Sequence, residues 1–221
     1  MSKSFEKNKT QILDALLPIA AFDGWNTASL RQAVRAAELP SSSHDTYFPG
    51  GGIEAIEFWS ETCNARVEAY FAERDIEEMR IRDKVTEGVW SYIEAMENHE
   101  DAARRAMARL SLPDAIGRGP KHVWATADTV WRAIGDTSTD INFYSKRTIL
   151  SGVISSVFVK WLTDNDPNKK ATREFLDARI ANVMAFEKAK FQFKKQTDSW
   201  TSPADVLGRL RYGSRRRRRR G

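Results

Sequence analysis

Two carboxylates stand four residues apart in the stretch WRAIGDTSTDINFYSKR, residues 131–147: Asp136 and Asp140. On a helix that spacing sets both on one face, as paired acid–base groups or metal ligands require. A di-iron bundle also needs Glu three residues before His on two helices. The histidines are His44, His99 and His122, and Ser41, Met96 and Gly119 occupy the corresponding positions. Cys63, the single cysteine, has no evident activator for nucleophilic work. The run Pro49-Gly50-Gly51-Gly52 follows a helical pattern rather than a strand, so it is not a phosphate cradle. These exclusions point to a protein without catalysis, metal or cofactor.

The stretch nevertheless holds more chemistry than a joint between helices needs. Gly135 suits a helix end, Ser138 or Thr139 a cap, and Asp140 a first turn whose dipole favours an anion. Asp136, Asn142, Phe143, Tyr144, Lys146 and Arg147 are left over. One reading is an ordinary solvated helix start. The other is a partner-binding patch of Asp136, Asp140, Asn142, Phe143, Tyr144 and Arg147, with carboxylates for basic groups and aromatic rings as anchors.

The elements that must position this joint read as helices throughout. Helical spacing recurs and strand alternation does not. Helices are expected at about 4–22, 27–38, 41–47, 52–74, 82–98, 100–111, 118–134, 139–164 and 168–194. Leu150, Val153, Ile154, Val157, Phe158, Trp161 and Leu162 form a wide apolar stripe. Ser151, Gly152, Ser155 and Ser156 lie opposite, small enough for a neighbouring helix to approach, so this helix is expected to be enclosed on most sides. Trp124 and Trp131 stand seven apart on the preceding helix, and Leu176 and Val183 continue the apolar theme. A packed core and a lipid-holding tunnel share this composition, and both readings stay open. In the second reading Trp124, Trp131, Leu150, Val153, Ile154, Val157, Phe158, Trp161, Leu176 and Val183 line the lipid site.

The first fifty residues form three short helices with tight joints, in which Gly24 ends the first and Thr27 can cap the second. This plan resembles the helix-turn-helix domain of TetR-type regulators. Its charge does not suit DNA. Residues 1–60 carry five basic side chains (Lys3, Lys7, Lys9, Arg31, Arg35) against seven acidic ones (Glu6, Asp14, Asp23, Glu38, Asp45, Glu54, Glu57). The third helix offers Ser41 to Thr46, with Asp45 and without Arg or Asn, so no specific DNA partner is expected.

The chain's net +5 is a property of its end. From Asp205 onward eight arginines face one aspartate, a segment of +7, and the remaining residues carry −2. Ser202-Pro203 starts a short helix whose apolar face is Val206, Leu207 and Leu210, with Trp200 outside it, Arg209 and Arg211 beside it and a run beginning Arg215-Arg216 after it. These residues are read as a contact with an anionic membrane surface. A solubilising tail and nonspecific nucleic-acid binding remain alternatives. MSKSFEKNKT shows neither signal nor transit pattern, and no run approaches the ~20 apolar residues of a spanning helix. A location in the cytoplasm, peripheral to the inner membrane, is expected.

The pattern Trp131-Arg132-x-x-Gly135-Asp136-x-Ser138-Thr139-Asp140-x-Asn142-x-Tyr144-x-Lys146-Arg147 resembles the signature of the Coq-nine family, lipid-binding accessory proteins of ubiquinone biosynthesis. The likeness extends through Leu150, Trp161, Leu162, Phe175-Leu176-x-x-Arg179, Asp23-Gly24-Trp25 and Phe48-Pro49-Gly50-Gly51, so most of residues 10–190 is covered. The family commonly has Trp where this chain has Phe143, which keeps an apolar anchor and loses an indole donor. The resemblance implies an all-α, TetR-like fold without regulator activity. It also implies binding of an isoprenoid quinone precursor and docking to the di-iron hydroxylase that oxidises demethoxy-ubiquinone. A TetR-type ligand-responsive regulator is the alternative, and the TetR analogy allows a homodimer. The expected domains are 1–50, a helix-turn-helix-like unit; 51–196, a lipid-binding bundle; and 197–221, the amphipathic, polybasic end.

Overall fold

The computed structural model describes the backbone of residues 3–198 and the side chains of residues 3–185. Trp200, Val206, Leu207, Arg209, Leu210, Arg211, Arg215 and Arg216, expected to meet a membrane, lie outside the described residues. No strand occurs among the described residues. The chain divides into two compact units, Met1–Ile180 and Ala181–Gly221.

The first unit opens with α1 (Lys3–Asp23), α2 (Thr27–Ala36) and α3 (Ser43–Tyr47). Ile12, Leu13, Leu16, Leu17 and Ala20 make the buried face of α1. The cap of α2 is Asn26 rather than Thr27: its Oδ1 accepts from the Ala28 and Ser29 amides at 2.9 and 3.0 Å. The third helix is shorter than expected and partly turned inward. His44 is buried, with its Nδ1 2.8 Å from the Ser41 carbonyl. Tyr47 is held against α1, where Asn8 Nδ2 donates to its hydroxyl at 2.7 Å and the Phe5 ring stands 4.7 Å away.

The larger bundle follows: α4 (Gly51–Ala72), α5 (Ile81–Glu94), α6 (Glu100–Leu110), α7 (Arg118–Ala133), α8 (Ile141–Thr163) and α9 (Lys170–Asp198), with single 3-10 turns at Glu97–His99 and Pro113–Ala115. The N-terminal helices belong to the same compact unit as this bundle. Trp25 explains why: it stacks on Trp59 of α4 at 5.4 Å, and its indole donates to the Ala102 carbonyl of α6 at 2.9 Å. Gly52 permits that approach, since a Cβ there would lie 2.2 Å from the Trp25 carbonyl oxygen. After α8, Asp164 accepts from the Thr172 amide at 2.8 Å and its hydroxyl at 2.6 Å, which anchors the start of α9. Helix α9 belongs to the first unit through Ile180, and Val183 to the second.

The stripe on α8 behaves as core. Leu150, Val153, Ile154, Val157, Trp161 and Leu162 are all buried. Its opposite face is not covered within the first unit: Gly152 and Ser155 are exposed, and Ser151 and Ser156 half-buried. Among the described residues, no helix is long and apolar enough to cross a membrane.

Candidate functional site

A cavity of about 300 Å³ lies among α4 to α8. Its inner wall is Trp59 and Ser60 of α4, Tyr92 of α5, Ala103 of α6, Thr126 of α7 and Ile154 of α8, all buried. Its mouth is formed by Met107, Ser111, Pro120 and Val159, all exposed. The alanines of α6 create the void. Ala103 and Ala106 stand one turn apart where a packed helix would carry larger side chains, and they face Trp59 and Phe158 across the gap. At 300 Å³ the space lies at the small end of ligand pockets.

No charge enters it. Tyr92 shares a hydrogen bond with Ser60 at 3.2 Å, and burial pushes its hydroxyl up to about 12. Burial likewise lowers His122, against the pull of Glu57, so the imidazole is neutral at pH 7. Its Nε2 stands 3.8 Å from Glu57 Oε1, too far for a hydrogen bond, and has no partner. The site is thus an apolar chamber, with the unpaired His122 Nε2 buried in its wall.

Of the expected lipid-lining residues, Ile154 and Phe158 line this cavity. Trp131, Leu150, Val153, Val157, Trp161 and Leu176 are buried in the solid core instead, because their faces of α7, α8 and α9 point into packed neighbours. Trp124 lines a second hollow of about 440 Å³ between α7 and α8, beside Thr148, Ser151 and Gly152. Gly119, Pro120, Val123 and Ser155 border both spaces, which makes the outer groove an extension of the inner chamber. The walls from α4 and α6 were missed by sequence reasoning. The signal that could have found them is the alanine face of α6.

The joint between α7 and α8 resolves into a knot and a display. Gly135, at φ +83, ends α7 in the left-handed region. Asp136 is then turned inward, its side chain 7% exposed. Its Oδ1 accepts from Ser138 Oγ at 2.8 Å and Lys146 Nζ at 2.6 Å, and its Oδ2 from Arg147 Nη1 at 3.4 Å. Arg147, itself 1% exposed, also donates to Asp128 at 2.6 Å and to the Phe143 carbonyl at 3.2 Å. Its guanidinium lies 3.5 Å from the centre of the Phe143 ring, and Lys146 lies 5.0 Å from that of Trp131. Burial raises the Asp136 carboxyl, but hydrogen bonds from Lys146 and Ser138 with the nearby cations outweigh it and hold it below the usual carboxylate range.

Three expectations are corrected by this geometry. Asp136 and Arg147 do not face a partner, because each already has the other as its counter-charge. Ser138 does not cap α8, because its hydroxyl is committed to Asp136; Asp140 occupies the cap position without a side-chain cap bond. What remains exposed is Asp140, Asn142 and Tyr144, with Phe143 half-buried behind them. Ile141 joins them at 80% exposure, beside Tyr144 at 62%. Sequence reasoning passed over Ile141, although an apolar residue at the first helical position between polar ones was a signal. The Tyr144 ring stands 6.4 Å from Trp124, which places the display at the edge of the outer groove.

Residues 116–187, which include α7, the joint and α8, match the model of the COQ9 family. Over that segment the chain is similar to the COQ9 family. Curated relatives agree along most of its length. It is 28% identical over 193 residues to the mitochondrial ubiquinone biosynthesis protein COQ9 of Rattus norvegicus, covering 82% of this chain and 60% of that one. It is 26% identical to COQ9 of Homo sapiens and to COQ9-A of Xenopus laevis, each over 82% of this chain and 59% of the relative. The chain thus spans about three-fifths of the length of these COQ9 proteins. A TetR transcriptional regulator from Nitrosomonas europaea ATCC 19718 superposes with a TM-score of 0.65 at 18% identity, covering 78% of this chain and 95% of that one. That likeness establishes a TetR-like, all-α fold and says nothing of activity.

Proposed function

We propose that this chain is a COQ9-like, non-catalytic accessory protein of ubiquinone biosynthesis. It binds an isoprenoid quinone precursor in the α4–α8 cavity and presents it to a membrane-associated di-iron hydroxylase. The observation that carries the reading is an uncharged apolar chamber that continues, past Pro120 and Ser155, into a groove ending beside Trp124 and the exposed Tyr144. The relatives' description as ubiquinone biosynthesis proteins supports the choice of ligand.

The chemistry asked of the protein is burial. Each five-carbon isoprene unit withdrawn from water is worth about 3 kcal/mol. Taking about 30 Å³ for a group the size of water or a methylene, a space of 300 Å³ holds about ten heavy atoms, two isoprene units. The remaining tail lies along the outer groove. Tyr144, Ile141, Asn142 and Asp140 are the surface a hydroxylase would meet.

Mass spectrometry of lipid extracted from the purified protein is the test. Isoprenoid quinones or their precursors are expected in wild type and depleted at least about tenfold in Ala106→Phe, whose ring fills the chamber. Extracts without such lipids, or equal amounts in the two proteins, overturn the reading. Tyr144→Ala is expected to keep the lipid and lose co-purification with the hydroxylase.

A further inference from the structure

Eight large apolar side chains are exposed among the described residues; two of them, Met107 and Val159, are at the cavity mouth, and Leu112 and Ile116 stand on the connection that follows Ser111 of that mouth. Met107 and Val159 line the opening itself. Leu112 and Ile116 project from the connection between α6 and α7, which forms the adjoining lip. Ile116 is 80% exposed, an unusual position for an isoleucine in water.

The connection is built to hold these residues out. Arg109 donates to both carboxylate oxygens of Asp114, at 2.9 and 2.7 Å, across the 3-10 turn Pro113–Ala115, and Ala115 is fully buried beneath it. The turn is therefore braced, and Leu112 and Ile116 cannot fold back into the chamber without breaking it. Between residues 104 and 121 stand Arg104, Arg105, Arg109, Arg118 and Lys121; Glu100, Asp114 and Glu57 pair with Arg104, Arg109 and Arg118, while Arg105 and Lys121 are in no ion pair among the described residues. Lys121 and Arg105 are exposed.

We propose that this connection is a membrane-contacting rim through which lipid passes between bilayer and cavity. Leu112 and Ile116 enter the interface, while Arg105, Lys121 and their neighbours meet anionic headgroups. Protein interfaces favour aromatic anchors, and none stands on this connection; aliphatic tips with exposed cations nearby suit a lipid surface. The rim sets the mouth against the bilayer, so a tail moves from one apolar phase to another without crossing water. The proposal rests on the lipid-binding reading of the cavity and adds its route of loading, independent of the chain's polybasic end.

The test uses the full chain with an environment-sensitive fluorophore on Ile116→Cys. Cys63, buried and pushed up to about 12 by burial, stays unlabelled at neutral pH. The same label on Gln32→Cys, on the exposed side of α2, is the reference. Phosphatidylcholine vesicles containing phosphatidylglycerol are expected to shift emission to the blue at 116 and not at 32. A probe at 116 that stays in water, or an equal shift at both sites, overturns the rim. In a second arm, Leu112→Asp/Ile116→Asp is expected to keep its melting temperature and to load a fluorescent isoprenoid from those vesicles at least about tenfold more slowly. Loading at the wild-type rate sinks the rim while leaving the cavity reading intact, whereas absence of extractable isoprenoid from wild type sinks the cavity reading. If the double variant loads normally but loses the hydroxylase, the face is a protein interface and the rim is again refuted.

Discussion

Replacing Asp136 by Asn keeps the shape of the side chain and removes the charge at the centre of the α7–α8 knot. The carboxylate serves three donors, two of them cationic, and is almost wholly enclosed with Arg147. Breaking a buried ion pair by removing one partner costs about 3–5 kcal/mol. Two features reduce that here: Arg147 keeps Asp128 at 2.6 Å and the Phe143 carbonyl at 3.2 Å, and Asn retains an acceptor for Ser138. A loss of about 2–3 kcal/mol is therefore expected. Lys146→Met is the contrast. Its side chain is 37% exposed and the ammonium can be solvated, so its loss should cost about 1 kcal/mol or less. Urea denaturation of the three proteins measures both values, with the slope reporting whether the folded state stays equally compact. If Asp136→Asn unfolds at the wild-type midpoint, or no more easily than Lys146→Met, the knot is not structural and Asp136 regains its claim as a docking residue.

Other outcomes follow from the same geometry. Affinity for isoprenoids of increasing length should rise steeply through about two units and more gently beyond, because further units lie in the more open outer groove; fluorescence competition with analogues of graded length reads this, and an equal increment for every added unit contradicts it. Gly52→Ala should destabilise by about 1–3 kcal/mol in thermal melts, since its methyl meets the Trp25 carbonyl. Acid should unfold the protein in two stages. His122 and His99 are lowered by burial in the folded state, so the unfolded chain takes protons first as pH falls below about 6.5, and stability drops. Asp136 and Asp164 are held below the usual range, so their stabilisation is present above about pH 4 and is lost as pH falls through their lowered values. His122→Gln should weaken the first stage and leave the second.

Helices were legible because their apolar periodicity is strong: the stripe on α8 and the faces of α1 and α7 are where spacing puts them. Errors concentrate where polar side chains choose between partners. Asn26 took the cap assigned to Thr27, and Ser138 was drawn to Asp136, so α8 begins at Ile141 rather than two residues earlier. Both choices lie between near neighbours, Asn26 beside Thr27 and Asp136 two residues from Ser138, and spacing alone does not rank them. The cavity was legible in kind but not in place. Large apolar residues mark cores, and it is small ones opposite large ones, Ala103 and Ala106 against Trp59 and Phe158, that mark a void.

The joint's surplus chemistry has a division of labour that spacing alone could not separate. Trp131, Asp136, Ser138, Lys146 and Arg147 face one another and fasten α7 to α8. Asp140, Ile141, Asn142 and Tyr144 face outward on the same turn. Those two helices are also the shared walls of chamber and groove, through Val123 on one side and Ser155 on the other. At 1.5 Å per residue, Arg147 lies about 12 Å along α8 from Ser155. A small change in crossing angle at the knot would therefore change the width of the groove. Under the proposed function, a partner that presses on Tyr144 would act on the short arm of that lever, and docking would then be coupled to release of the tail.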